Sequence, residues 1–359
     1  MKVIQIIPNL GYGDAVGNDA VAIAKVIGEL GYETGIYAKV IDKRIKAPFV
    51  RNISELPKLS DSDVVIFNQC TGSDLYKKFQ KLKGRKMMIY HNITPPKFFE
   101  GYNRSIVETL NEGYRQTREL ADTVEFCMAD SEYNAADLRE MGYKCPIFVR
   151  PILIPFEDYK KEPDKNVIEK YSGDGYTNIL FVGRVAPNKK HEDIIAAYAY
   201  YKKYINPKSR LILVGSDGGL TKYGNALRHY ADALGAEDIV FTGHTSFHAI
   251  LAYYKIADVF LCMSEHEGFC VPLLESMFFE KPIIAFDSCA VPDTLGGSGV
   301  LIKEKDPVFV SLLIDRIMKD ADLRQKIVES QNERLKQFSY ENIRARFEEG
   351  LKLFIEQKY

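Results

Sequence analysis

Two glutamates eight positions apart, Glu267 and Glu275, stand in the run SEHEGFCVPLLESM. On one continuous helix, eight residues rotate by roughly 800°, which sets two side chains well apart around the axis. The sequence points to a different arrangement. Ser264–Cys270 is polar, contains Gly268 and reads as a loop, and Pro272 suits the first turn of a helix. Glu267 then leans over the start of a helix that carries Glu275. Backbone N–H groups at 268–271 have no partner inside that helix and form a cradle for phosphate. Carboxylates beside a phosphate need hydroxyls to accept from, and a sugar ring and a ribose supply them. The plain alternative is a surface loop with solvated acids and an ordinary core helix.

Cations stand where a strand gives way to a loop in FVGRVAPNKKHED, with Arg184 and Lys189 five residues apart around Pro187. A diphosphate suits both, Arg as a bidentate fork and Lys as a point charge. Without a metal they could stabilise a leaving nucleoside diphosphate. Lys190 is the fallback for Lys189, and a solvated loop is the plain alternative. In YHNITPP, His91 ends a strand and enters a loop. At the carboxyl end of an α/β strand it points toward a ligand crevice, though a lone histidine is often structural. Gly11, Gly13 and Gly17 follow the first strand but lack the G-x-G-x-x-G spacing, so a dinucleotide fingerprint is absent. That loop reads as flexible backbone facing a ligand, or as a tight strand-to-helix turn.

Short apolar runs alternating with amphipathic stretches must position these groups. Strands are expected at 3–8, 34–37, 64–67, 86–90, 124–129, 179–183, 211–215, 238–242, 257–263 and 283–286. The first helix is expected at 20–30, the helix after the loop at 272–280, a helical stretch at 306–336 and a last helix at 340–357. The 359 residues suggest about two domains. A Pro-rich, charged run, VRPILIPFEDYKKEPDK, marks a junction at about 155–170. Net charge is −1, so no global field calls for nucleic acid. Six cysteines are scattered without a C-x-x-C pair, which argues against a disulfide framework or zinc knuckle and fits a reducing cytosol. No signal peptide or 18-residue apolar stretch is apparent, so a cytoplasmic protein is expected. The run KKFQKLKGRK at 77–86 holds six basic residues and no acid. It is a solvated face or a patch for anionic lipid, the latter meaning peripheral contact with the inner membrane.

The run EHEGFCVPLLE resembles the E-x7-E signature of retaining glycosyltransferases of family 4. The flanking ESM and KPIIAF, the G-R-x-x-x-x-K element at 183–189, YHNITP, and S-x-x-N-x-x-x-L from Ser131 resemble the same family. Cys270 and Glu280 depart from its pattern, where Gly or Ala and Gly are usual. The resemblance implies an α/β protein of the GT-B class, two Rossmann-like domains with parallel sheets facing across a cleft. It places an acceptor-side domain at 1–160, a donor domain at 161–339 and a terminal helix at 340–359 returning to the first domain. It implies catalytic His91, Arg184, Lys189 and Glu267, with His91 near the donor's C6 hydroxyl. It implies a donor site of Gly13, Asp14, Ala15, Gly17, Lys190, Gly243, His244, Gly268, Phe269, Cys270, Val271 and Glu275, the last accepting from ribose. No cofactor or metal is implied beyond the nucleotide-sugar co-substrate, GDP-mannose or a UDP-hexose. Attack comes from the face that the phosphate leaves, and the acceptor is a glycan or a lipid-linked saccharide in surface-polysaccharide synthesis. No D-x-D motif follows a strand, which disfavours a metal-dependent GT-A enzyme. Rival readings are an epimerase or phosphorylase-like enzyme of the same fold, a non-catalytic nucleotide-sugar-binding subunit, and, less favoured, an NAD enzyme.

Overall fold

Strands buried on both faces are apolar along their whole length rather than on alternate residues. Val259–Cys262 is of this kind, and Val64–Gln69 is so up to Phe67 before ending in Asn68 and Gln69, with every residue of both buried. Each becomes a central strand of a separate parallel sheet in the computed structural model, which describes residues 1–357. The chain divides into two units. Unit 1 holds Met1–Lys97, Arg104–Pro155 and the segment from Phe338 onward, and unit 2 holds Phe98–Asn103 and Phe156–Gln337.

The sheet of unit 1 consists of β1 (Lys2–Leu10), β2 (Glu33–Ile41), β3 (Val50–Asn52), β4 (Val64–Gln69), β5 (Arg85–Tyr90), β6 (Phe126–Ala129) and β7 (Ile147–Val149). They lie in the order β3-β2-β1-β4-β5-β6-β7. The sheet of unit 2 consists of β8 (Thr177–Val182), β9 (Ser209–Val214), β10 (Ile239–Phe241), β11 (Val259–Cys262), β12 (Ile283–Phe286) and β13 (Val300–Ile302). Their order is β10-β9-β8-β11-β12-β13. Both are the doubly wound arrangement, with the strand order reversing beside β1 and beside β8. The fold class is therefore α/β with two Rossmann-like halves. All four outer strands are three residues long, and short edges limit unwanted pairing with other chains.

Three expectations need correction. The first helix, α1, runs over Ala15–Glu29 rather than 20–30, because the Asp14 side chain accepts from the Gly17 N–H at 3.2 Å and caps it early. The flexible loop shrinks to 11–13. The division between units falls after Pro155, within the expected junction at 155–170, but Phe98–Asn103 group with unit 2. There the Tyr102 ring meets Tyr223 edge-on at 5.2 Å, and Lys222 Nζ donates to the Gly101 carbonyl at 2.7 Å. The stretch 306–336 is two helices, Pro307–Lys319 and Ala321–Lys336, because Asp320 leaves the helical backbone and caps the second through the Leu323 N–H. The last helix, Tyr340–Glu356, packs on unit 1, with Phe354 against Phe126 and Arg85 Nη1 donating to the Ile355 carbonyl.

Glu280 has φ +56° and Cys270 has φ +72°. The two departures from the glycosyltransferase pattern thus both occupy left-handed backbone. A side chain is disfavoured there by roughly 1–2 kcal/mol, which gives a physical reason for glycine at such positions.

Candidate functional site

The site in unit 2 follows from strand adjacency. β8 pairs with β11 in parallel, so the loops leaving their carboxyl ends emerge side by side at the point where the strand order reverses. These are the loops carrying Arg184, Lys189 and Glu267. Asn188 ties them together: its carbonyl accepts from the Glu265 N–H at 2.8 Å, and its Nδ2 donates to the His266 carbonyl at 3.1 Å. Lys189 Nζ reaches Glu267 Oε2 at 2.7 Å. Burial disfavours the Lys189 ammonium, but Glu267 more than offsets this and holds its pKa above the usual lysine value. Lys189 and Glu267, expected on a diphosphate and on sugar hydroxyls respectively, therefore neutralise each other in this structure.

Arg184 is exposed and lies over the 216–219 turn, with Nη2 3.4 Å from the Gly218 carbonyl. Its backbone is held by a tight junction. A Cβ on Gly215 would sit 2.0 Å from the Gly183 carbonyl oxygen, and Gly215 forms an isolated bridge with Gly243. Only glycine at 215 lets the ends of β8, β9 and β10 approach so closely. Gly243 and the exposed His244 follow β10 at this junction. Lys190 faces acids, with Glu192 at 3.4 Å and Glu265 at 3.6 Å. Lys305 also takes Glu265, at 2.8 Å. The fallback cation is thus tied into a carboxylate cluster.

The Glu267 loop rests on the segment after β12. Ser288 Oγ donates to the Ser264 carbonyl at 2.6 Å, and Thr294 Oγ1 donates to the Phe269 carbonyl at 2.5 Å. Gly268 and Phe269 lead through Cys270 into the helix Val271–Phe278, with Pro272 in its first turn. Glu275 sits in the second turn. Each of its oxygens accepts from one phenol, Tyr159 at 2.6 Å and Tyr254 at 2.5 Å. Burial raises its pKa, and the two phenols oppose that. Asn188, Thr294, Tyr159 and Tyr254 were not singled out from the sequence. Asn188 stands at an unspecified position of the 183–189 element, and the other three reach the site from distant segments that no local motif marks.

His191 lies directly after these cations, fully buried, its ring against Phe181 and Tyr223. Burial, and then the Lys189 charge, lower its pKa to about 3. The unfolded chain, with an ordinary histidine near 6.5, binds a proton that the native chain refuses. Stability from this group is complete above about pH 6.5 and falls by about 1.4 kcal/mol per unit as pH drops toward 3. In His191→Phe the decline of melting temperature between pH 6.5 and 4.5 should be shallower than in the parent. Parallel curves would remove His191 as the cause.

In unit 1, α1 begins beside the 11–13 turn. Gly13 is exposed with left-handed backbone, while Ala15 and Gly17 are in the helix. A Cβ on Gly17 would meet the Gly11 carbonyl at 2.8 Å, so this glycine serves close packing of helix on turn. The His91 side chain is fully buried. A directional chain of hydrogen bonds sets its protonation. The Ala20 carbonyl can only accept, so Gln5 Nε2 donates to it at 2.8 Å. Gln5 Oε1 then accepts from Asn68 Nδ2 at 3.2 Å, which leaves Asn68 Oδ1 facing His91 Nε2 at 3.2 Å. Asp130 Oδ2 faces His91 Nδ1 at 2.8 Å. Both ring nitrogens meet acceptors, the arrangement of an imidazolium. Burial opposes that charge, but Asp130 outweighs it and the pKa is raised. Arg150, also fully buried, forks onto Asp19 with two contacts of 2.7 Å and lies 3.5 Å from Asp130. Two carboxylates thus face the Arg150 guanidinium and the His91 ring.

The basic run at 77–86 spends much of its charge locally. Lys78 and Lys86 donate to backbone carbonyls, Arg85 pairs with Glu125, and Lys83 lies 3.8 Å from Asp61. The solvated-face reading accounts for these contacts. Among the described residues, no helix is long and apolar enough to cross a membrane.

The comparisons agree with this architecture. The family described as "Glycosyl transferases group 1" matches residues 162–334. The lipopolysaccharide 1,2-N-acetylglucosaminetransferase of Salmonella typhimurium is 23% identical over 246 residues, 65% of this chain and 64% of that one. The O-antigen chain mannosyltransferase B of Escherichia coli is 24% identical over 235 residues, 64% of this chain and 60% of that one. The chain spans between 41% and 64% of the length of the first curated relatives it matches. HepE of Anabaena, solved in complex with UDP-glucose, shares the fold with a TM-score of 0.74 at 15% identity, covering 98% of this chain and 99% of that one. Residues 162–334, just under half of the chain, are thus similar to the glycosyl transferases group 1 family.

Proposed function

We propose that this protein is a retaining, metal-independent glycosyltransferase that moves a hexose from a nucleotide sugar to a glycan or lipid-linked saccharide in surface-polysaccharide synthesis. The carrying observation is that Lys189 and Glu267 meet on paired loops where the strand order of unit 2 reverses, with Arg184 on the first of those loops. Unit 2 takes the donor. Arg184 forks onto the diphosphate. Lys189 leaves Glu267 for the same group, and Glu267 then accepts from sugar hydroxyls, helped by the backbone N–H groups of 268–271. Glu275, steadied by two tyrosines, accepts from ribose. The acceptor hydroxyl attacks the sugar from the face that the phosphate leaves, and an oxygen of that phosphate takes the acceptor's proton, so no carboxylate nucleophile is needed. GDP-mannose is the first candidate donor, in keeping with the mannosyltransferase among the relatives. A UDP-hexose is the second, in keeping with HepE and its UDP-glucose.

A thermal-shift panel of nucleotide sugars tests this. At a hundredfold excess over its Kd, the true donor adds about 2.7 kcal/mol to native stability. Arg184→Ala should lose most of the shift given by the matching nucleoside diphosphate, and an undiminished shift would remove Arg184 from that site. Mass spectrometry separates transfer from release of free sugar. The anomeric proton coupling of the product reports retention, and activity unchanged by a chelator reports independence from metal.

A further inference from the structure

Beneath the Glu267 loop lies a group of side chains that the transfer reaction does not use together. Cys262 ends β11, and Cys270 stands at the N-terminus of the helix Val271–Phe278. Their two sulfurs and one carboxylate oxygen of Glu267 all lie within 4.8 Å of one another. Cys262 is fully buried, Cys270 is 6% exposed and Glu267 8% exposed, so the cluster has its opening on the Glu267 and Cys270 side. Cys270 is held at φ +72°, a backbone region that is costly for any residue with a side chain. Non-glycine residues kept in such strained backbone gather at functional sites.

We propose that Cys262, Cys270 and Glu267 form a binding site for a soft divalent cation of the zinc class, and that the bound ion takes Glu267 away from Lys189. Two thiolates and a carboxylate are a donor set that favours zinc over calcium or magnesium. Bond lengths of about 2.3 Å to sulfur and 2.0–2.2 Å to oxygen place tetrahedral ligands roughly 3.4–3.8 Å apart, so a closing movement of about an ångström completes the site. Ser264 Oγ, 3.4 Å from Cys262 Sγ, or a water supplies the fourth position. The charges balance. Before binding, two neutral thiols accompany the Glu267–Lys189 pair. On binding, each thiol gives up its proton to solvent, and the ion's two charges replace those two protons. No oxidant or reductant takes part.

The other possible metal group among the described residues, Asp19, His91 and Asp130, is unsuitable. Arg150 already occupies Asp19 at 2.7 Å, and both His91 nitrogens face acceptors. Cys127 and Cys145, with sulfurs 3.7 Å apart, form no group of three such ligands.

Cobalt serves as the spectroscopic probe and zinc as the competitor, with a phosphine reductant present. Titration of the whole chain with Co²⁺ should produce a thiolate-to-cobalt charge-transfer band that saturates at one equivalent, and Zn²⁺ should abolish it. Cys262→Ala and Cys270→Gly should each lower zinc affinity by at least about 100-fold, and Glu267→Gln by about tenfold, with circular dichroism unchanged. Cys145→Ala should leave the band in place and serves as the control. No thiolate band, or a band that survives Cys262→Ala and disappears in Cys145→Ala, overturns the proposal. Inhibition of transfer by zinc, lost in Cys262→Ala, is also expected, and this consequence rests on the part proposed above for Glu267. Zinc bound as described without loss of turnover establishes the site and counts instead against that part.

Discussion

Glu267→Ala is expected to lower kcat/KM by about 10²-fold or more while the chain still folds, a loss of about 2.7 kcal/mol of transition-state stabilisation. Glu267 holds Lys189 at 2.7 Å in the unliganded protein. On the proposed reading it later exchanges that cation for the hydroxyls of the sugar. Alanine removes both partners. Lys189 then lacks its counter-ion, and the sugar lacks an acceptor oriented by the Thr294 and Ser288 contacts to its loop. Glu267→Gln separates the two losses. The amide still accepts a hydrogen bond but carries no charge, so a glutamine variant closer to the parent would locate the effect in hydrogen bonding. Turnover near that of the parent in both variants, measured with the donor found by thermal shift, would remove Glu267 from the reaction. Circular dichroism and urea unfolding check that the fold is intact.

Arg150→Met is expected to cost about 3–5 kcal/mol of stability, the range for removing one partner of a buried ion pair. Its guanidinium is fully buried, forks onto Asp19 and lies beside Asp130. Asp19 in turn accepts from the Leu153 N–H at 2.7 Å, so the pair anchors the chain as it leaves β7. Methionine fills much of the volume but leaves two carboxylates facing His91 alone. Urea unfolding reads the result. A loss under 1 kcal/mol would mean that water or rearrangement compensates for the missing charge. The double variant Asp19→Asn with Arg150→Met should recover part of the loss, because it also removes one of the stranded charges.

Arg150 also shows where sequence reading stops. VRPILIP reads as a charged, Pro-rich junction, and an arginine there reads as solvated. Its partner stands 131 positions earlier, and nothing local announces the pairing. His91 was legible as a polar group at the end of a strand. That its ring is buried between two acceptors was not, because the direction of its hydrogen bonds is set by the carbonyl of Ala20, on another element. The central strands were read well, since burial on both faces leaves a continuous apolar run. β3, β7 and β13 were missed, because three residues are too few to carry a period. α1 starts earlier than its amphipathic stretch suggests, because Asp14 caps it from within the Gly-rich run.

By itself the sequence determined the alternation of strands and helices, hence the α/β class. It also determined which residue types stand at strand ends: Arg184 and Lys189 after one strand, Glu267 and Glu275 after another. These are local properties, written in periodicity and in the spacing of proline, glycine and charge. Only the tertiary structure decided that β8 and β11 are neighbours. That single adjacency brings Lys189 onto Glu267 and lets Asn188 join the two loops. The reason is physical: side chains meet through the strand order of a folded sheet, and pairing between strands tens of residues apart leaves no mark in either strand alone.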